Sequence, residues 1–150
     1  MTTPTAGPRS VLPRVLIAAV TGAVLALGAR SYHSWAAHRG DRICRATDGL
    51  CITWWTVTAI PLVVAVCVIV LTAVYKRLGI RPRLVIVPPT ILLAPIPLAA
   101  ADATAGWWAV VLTGGAWSGC LALAAWSGHR PLALVASAAM LLAAMAVYYH

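Results

Sequence analysis

The sequence predicts an all-α membrane protein, a polytopic bundle of about five transmembrane helices, the third of them proline-broken and the N-terminus cytoplasmic. Three observations carry this expectation. The stretch from Ile52 to Tyr75 contains no charged residue, and as a helix it rises roughly 36 Å at ~1.5 Å per residue, more than the ~30 Å hydrocarbon core of a bilayer. Hydrophobic residues make up 62% of the chain and charged residues 9%, where soluble domains carry ~25% charged. The few charges are bunched between long apolar runs, and water does not tolerate that much exposed apolar surface. One transmembrane bundle over residues 1–150 is expected, with no separate soluble domain.

Taken in order, Met1 to Ser10 is a polar, proline-bearing tail. The first span is expected over residues 11–31, where Val15 to Ala29 is apolar between Arg14 and Arg30 and the arginine stems can snorkel. Ala18, Gly22 and Ala26 recur every four residues and make one smooth face, which in lipid lets two helix backbones approach and pack. Basic residues, a short apolar core and Ala26-Leu27-Gly28 also fit a cleavable signal peptide. With no soluble domain to export, the span is the better reading.

Residues 32–51 read as an outer polar loop. The second span covers 52–75, with Trp54 and Trp55 anchoring one interface, Tyr75, Lys76 and Arg77 the other, and Pro61 kinking its middle. A basic connector runs from Lys76 to Arg83. The third span, 84–101, holds Pro88, Pro89, Pro95 and Pro97. Each interior proline leaves a carbonyl without its donor, so the segment should be bent and shielded by its neighbours, with a re-entrant path as the alternative.

Asp102 to Gly106 reads as a tight turn. The fourth span, 107–126, has tryptophans at both ends and a second packing seam, Gly115 and Gly119, flanked by the row Gly114, Ser118 and Ala122. Ser127 to Pro131 is another turn, and the fifth span follows over 132–149 with Pro131 suited to its first position.

Orientation follows from the distribution of Lys and Arg. One side holds Arg9, Arg14, Lys76, Arg77, Arg81, Arg83 and Arg130; the other holds Arg30, Arg39, Arg42 and Arg45, offset by Asp41 and Asp48. The richer side is cytoplasmic, which places the 32–51 loop outside. The net charge of +8 does not indicate nucleic acid, because the basic residues sit at the ends of apolar runs instead of forming a stripe. The preference for Arg over Lys and the richness in Ala, Gly and Pro suit a GC-rich bacterial gene. The expected location is therefore a bacterial plasma membrane.

Few residues offer chemistry. Cys44 and Cys51 flank a short outer loop, where a pair tends to be oxidised, so a structural disulfide is expected. A redox-active pair is the alternative. Cys67 and Cys120 lie inside spans and read as small core residues. His33, His38 and Asp41 suggest a metal site only weakly, since no fourth ligand or motif supports them. The arginines beside them can contact lipid phosphates. Thr90, Thr113 and Ser118 are expected to bond back to their own helices. The chain has no Glu, and its three Asp lie at or beyond span ends. Ion-coupled transporters and acid–base enzymes need positioned titratable groups, so no catalytic, cofactor or metal residue is assigned.

The function expected is non-catalytic: an accessory subunit, a scaffold or a lipid-interacting protein, with the bilayer and a membrane-protein partner or a second copy as its contacts. The proline-broken segment motivates an alternative, a transporter or channel component for a neutral or amphiphilic solute. A lipid or thiol enzyme at the outer leaflet, using the 33–48 loop or the cysteine pair, is a second alternative.

Overall fold

The computed structural model describes residues 8–44, 54–79, 88, 90–125 and 128–149. It contains five helices: α1 (Pro8–Cys44), α2 (Trp54–Arg77), α3 (Pro95–Ala105), α4 (Trp107–Leu123) and α5 (Arg130–Tyr149). No strand occurs among the described residues. Three stretches are long and apolar enough to cross a membrane, Leu12–Arg42, Val57–Arg77 and Arg130–Tyr149; Thr90–Ala105 and Trp107–Leu123 are shorter apolar helices.

Packing is inside out. Many of the residues turned inward are small: Ala18 and Ala26 on α1, Ala122 on α4, Ala133, Ser137 and Ala144 on α5. The bulky aliphatic side chains of α2, such as Ile60, Leu62 and Ile69, and of α5, such as Leu132, Val135 and Leu142, point outward. A water-soluble bundle does the reverse, while helices in lipid gain their cohesion from close backbone approach. α1 packs most extensively on α4, α2 rests on α1, and α3, α4 and α5 pack on one another. A compact cluster of larger residues, Leu71, Tyr75, Trp117 and Leu121, joins α2 to α4.

Three sequence expectations are corrected. Residues 32–44 are helix, not loop: α1 continues to Cys44. Stacking and charge at helical spacing hold this extension. Tyr32 stacks on Trp35 with ring centroids 5.8 Å apart, Arg39 lies 5.7 Å over the same indole, and Ala36 and Gly40 are buried on the adjoining strip of the helix. Polarity there marks a helix leaving the apolar layer and not the end of helical structure.

Tyr75 is no interfacial anchor, being fully buried, because it shares a face with Leu71 one turn before and that face meets α4. Its hydroxyl makes no hydrogen bond among the described residues. Asp102 to Ala105 belong to α3, and Gly106 alone makes the turn into α4 with φ 77° and ψ −156°, a conformation that only glycine adopts cheaply. In the proline-rich third segment, Pro88 and Thr90 to Leu93 are helical, the helix breaks at Ala94 and it resumes from Pro95 to Ala105, in line with the interruption the prolines predict. Pro95 and Pro97 cannot donate to carbonyls one turn back, which is why the helix is interrupted there. Residues 84–87 lie outside the described residues, as does Cys51.

A lateral apolar cleft as the candidate functional site

The site is built on the α1–α4 seam. Gly22 presents bare backbone to α4: a Cβ added there would collide with Ser118 and lie 2.6 Å from the Gly114 carbonyl oxygen. A Cβ on Gly114 would collide with that of Ala26, and one on Gly115 would sit 3.2 Å from the Ala19 carbonyl. Gly119 faces Ala19 at 3.4 Å. On α1, Ala18, Gly22 and Ala26 thus face Gly114 and Ser118 of α4, while Gly115 and Gly119 of α4 face Ala19 on the adjoining strip of α1. Ser118 Oγ, which lies within hydrogen-bond distance of the Gly115 carbonyl at 3.2 Å, also reaches across to donate to the Ala18 carbonyl at 2.9 Å. The expected back-bond is thus joined by an interhelical one, which anchors the seam in place.

Beside this seam opens a cleft of about 480 Å³. One wall is α1, where Gly22, Ala26 and Ala29 supply almost no side-chain bulk; α2 supplies Ala59, Val63 and Cys67; the 90–102 segment supplies Ile91, Pro95 and Leu98. Trp117 and Ser118 form the floor, and the Trp117 indole N–H donates to the Thr90 carbonyl at 3.0 Å, tying α4 to the start of the broken segment. Along α1 the cleft extends from Gly22 to His33, a rise of roughly 17 Å at ~1.5 Å per residue. The polar groups of the floor are committed to the helices, so the walls offer an occupant apolar contact.

One end differs. Arg30, His33 and Asp102 line it, and Arg30 Nε donates to Asp102 Oδ1 at 2.6 Å, linking α1 to α3. The side chains are 39% and 45% exposed. This pairing spans 72 positions in the sequence and was not foreseen, although its signal was present: Asp102 is a lone carboxylate at the end of one apolar run and Arg30 closes another. An exposed pair of this kind contributes about 1 kcal/mol or less to stability.

The other candidates stand apart from the cleft. His38 and Asp41 lie on the exposed extension of α1, with His38 Nδ1 2.7 Å from the Ser34 carbonyl. His33 turns toward the cleft mouth instead. No group of three metal-ligating side chains occurs among the described residues. Cys67 lines the cleft and Cys120 lies on α4, both as free thiols. Cys44 ends α1, and its expected partner Cys51 lies outside the described residues. Chemically, the arrangement can accept one apolar chain along the walls and a charged group at the mouth. Comparison with protein families, with curated proteins and with solved structures finds no match for this chain.

Proposed function

We propose that the chain is a small integral membrane protein of non-catalytic, lipid-interacting role, an accessory subunit or scaffold that holds one acyl chain from the surrounding leaflet in its cleft. The observation that carries the reading is the cleft's depth. Its roughly 17 Å rise along α1 is close to half of a ~30 Å hydrocarbon core, and its charged mouth then falls at the level of the headgroups. In this arrangement the five helices cross or enter the bilayer, the N-terminus is cytoplasmic and the mouth faces outside. Cys44, at the far end of the α1 extension, forms a structural disulfide with Cys51. Trp54, Trp107 and Trp108, all exposed, lie at the mouth's end of the bundle, where indoles favour the interface.

The test is lipid retention. Purified in mild detergent and measured by native mass spectrometry, the wild-type chain should carry about one phospholipid. Ala29→Phe, which fills the cleft from α1 without touching the α4 seam, should carry several-fold less. Wild-type protein free of lipid, or undiminished retention by the filled variant, overturns the reading. A second reading, a transport component for an amphiphilic solute, draws on the helix break at Ala94, which borders the cleft. It requires solute flux in proteoliposomes that Pro95→Ala with Pro97→Ala abolishes.

A further inference from the structure

The mouth of the cleft carries one positive and one negative group side by side. Arg30 uses only Nε toward Asp102, and Asp102 uses only Oδ1. Among the described residues the four remaining guanidinium N–H donors and the second carboxylate oxygen make no hydrogen bond. Both side chains are close to half exposed, so a ligand reaches them without breaking the pair. The pair's charges cancel, and what it lacks is a partner with the opposite arrangement.

Resting on the reading that the cleft holds a lipid chain, we infer that this lipid is a zwitterionic phospholipid bearing a primary ammonium group, with its phosphate on Arg30 and its ammonium on Asp102. The guanidinium fork matches phosphate oxygens. The free carboxylate oxygen accepts an N–H from an ammonium, a charge-assisted bond that a quaternary ammonium cannot make. A headgroup with negative charge alone still meets Arg30 through its phosphate, but offers the Asp102 carboxylate no opposite charge. The shape of the space limits the tail: the cleft of about 480 Å³ runs along α1 as a groove, which suits one acyl chain and leaves the second in the bilayer.

The experiment offers the delipidated wild-type chain equal amounts of phosphatidylethanolamine, phosphatidylcholine and phosphatidylglycerol with identical acyl chains, and counts bound lipid by native mass spectrometry. Ethanolamine lipid should be bound roughly tenfold over each of the others, the ratio that one charge-assisted hydrogen bond supports. Asp102→Asn should bring the three within about twofold of one another while still binding lipid. Equal binding of all three by the wild type, or a preference for the glycerol or choline lipid, overturns the headgroup assignment and leaves the chain-binding reading standing. Binding of none, or a cleft closed by a second copy of the chain, overturns both. The wild-type comparison decides the matter even if the Asn variant fails to fold.

Discussion

Substituting Gly22 by Ala separates a packing role from mere helix formation. A Cβ at position 22 would lie 2.6 Å from the Gly114 carbonyl oxygen, and ordinary contact begins near 3.4 Å. Backbone oxygen cannot swing aside as a side-chain tip does, so α1 and α4 must part by the difference, about 0.8 Å. That movement stretches the bond from Ser118 Oγ to the Ala18 carbonyl from 2.9 Å toward about 3.7 Å, beyond hydrogen-bonding distance. Overpacking of this kind costs ~1–3 kcal/mol, and an interhelical hydrogen bond in a membrane bundle contributes ~0.6 kcal/mol on average and ~1.7 at most. Gly28 provides the control: it lies in the same helix, and nothing stands within 4 Å of a Cβ built there. Gly28→Ala should be neutral or stabilising by up to ~1 kcal/mol through helix propensity. Because both substitutions gain the same propensity, the gap between them isolates packing, and it should be about 2–4 kcal/mol. Unfolding midpoints in mixed micelles of rising SDS fraction, read by limited proteolysis, measure it. Adding Ser118→Gly to Gly22→Ala removes the hydroxymethyl obstacle but leaves the carbonyl, so it should restore only part of the loss. Equal midpoints for the Gly22 and Gly28 variants would refute the seam.

Three further outcomes follow from single residues. Gly106→Ala forces an L side chain into φ 77°, ψ −156° at the junction of α3 and α4, and the same titration should show a loss of ~1–3 kcal/mol. Tyr75→Phe removes a fully buried hydroxyl that has no partner among the described residues; it should leave stability unchanged or raise it by about 1 kcal/mol, since no hydrogen bond is lost and a desolvation penalty disappears. In intact cells treated with a reductant, a membrane-impermeant maleimide should label Cys44 and Cys51. Labelling that appears only after lysis reverses the proposed orientation.

How much of this was legible depended on whether a feature is local. The α1 seam at Ala18, Gly22 and Ala26 could be read because small residues four apart form one helix face by geometry alone, and the GxxxG pair in α4 likewise. That the α1 seam meets Gly114 and Ser118, with Gly115 and Gly119 set against Ala19 beside it, was not legible, since the choice of partner is a tertiary matter. Local polarity misled on both α1 and α2. Residues 32–44 looked like loop, yet the stacking of Tyr32, Trp35 and Arg39 works through helical spacing that composition conceals. Tyr75 beside Lys76 and Arg77 looked interfacial, and only the direction of α2's packing face shows that it points inward. The Arg30–Asp102 pair and the cleft require α1, α2 and α3 to be placed together, which no single stretch encodes.

The proposed lipid-binding reading accounts for the size of the cleft and for the ion pair at its mouth. Space of about 480 Å³, costed as an empty cavity at ~24 cal/mol per Å³, would take away up to about 12 kcal/mol. That figure is an upper bound because the cleft is open along its side, but it rivals the ~5–15 kcal/mol that stabilises a whole domain. Water is a poor filler here, since an ordered water needs two to four polar partners and the hydrogen-bonding groups of Trp117 and Ser118 are already engaged with Thr90 and Ala18. Gly22 and Ala26 are held small by the seam with α4, but bulkier side chains at Ala29 and Ala59 could have filled the space, and these two leave it open from two helices at once. A chain that is apolar, flexible and supplied by the solvent itself answers every one of these constraints, and a bilayer provides it at every point around the bundle. The ion pair at the mouth then adds what the walls cannot, a means of telling one headgroup from another.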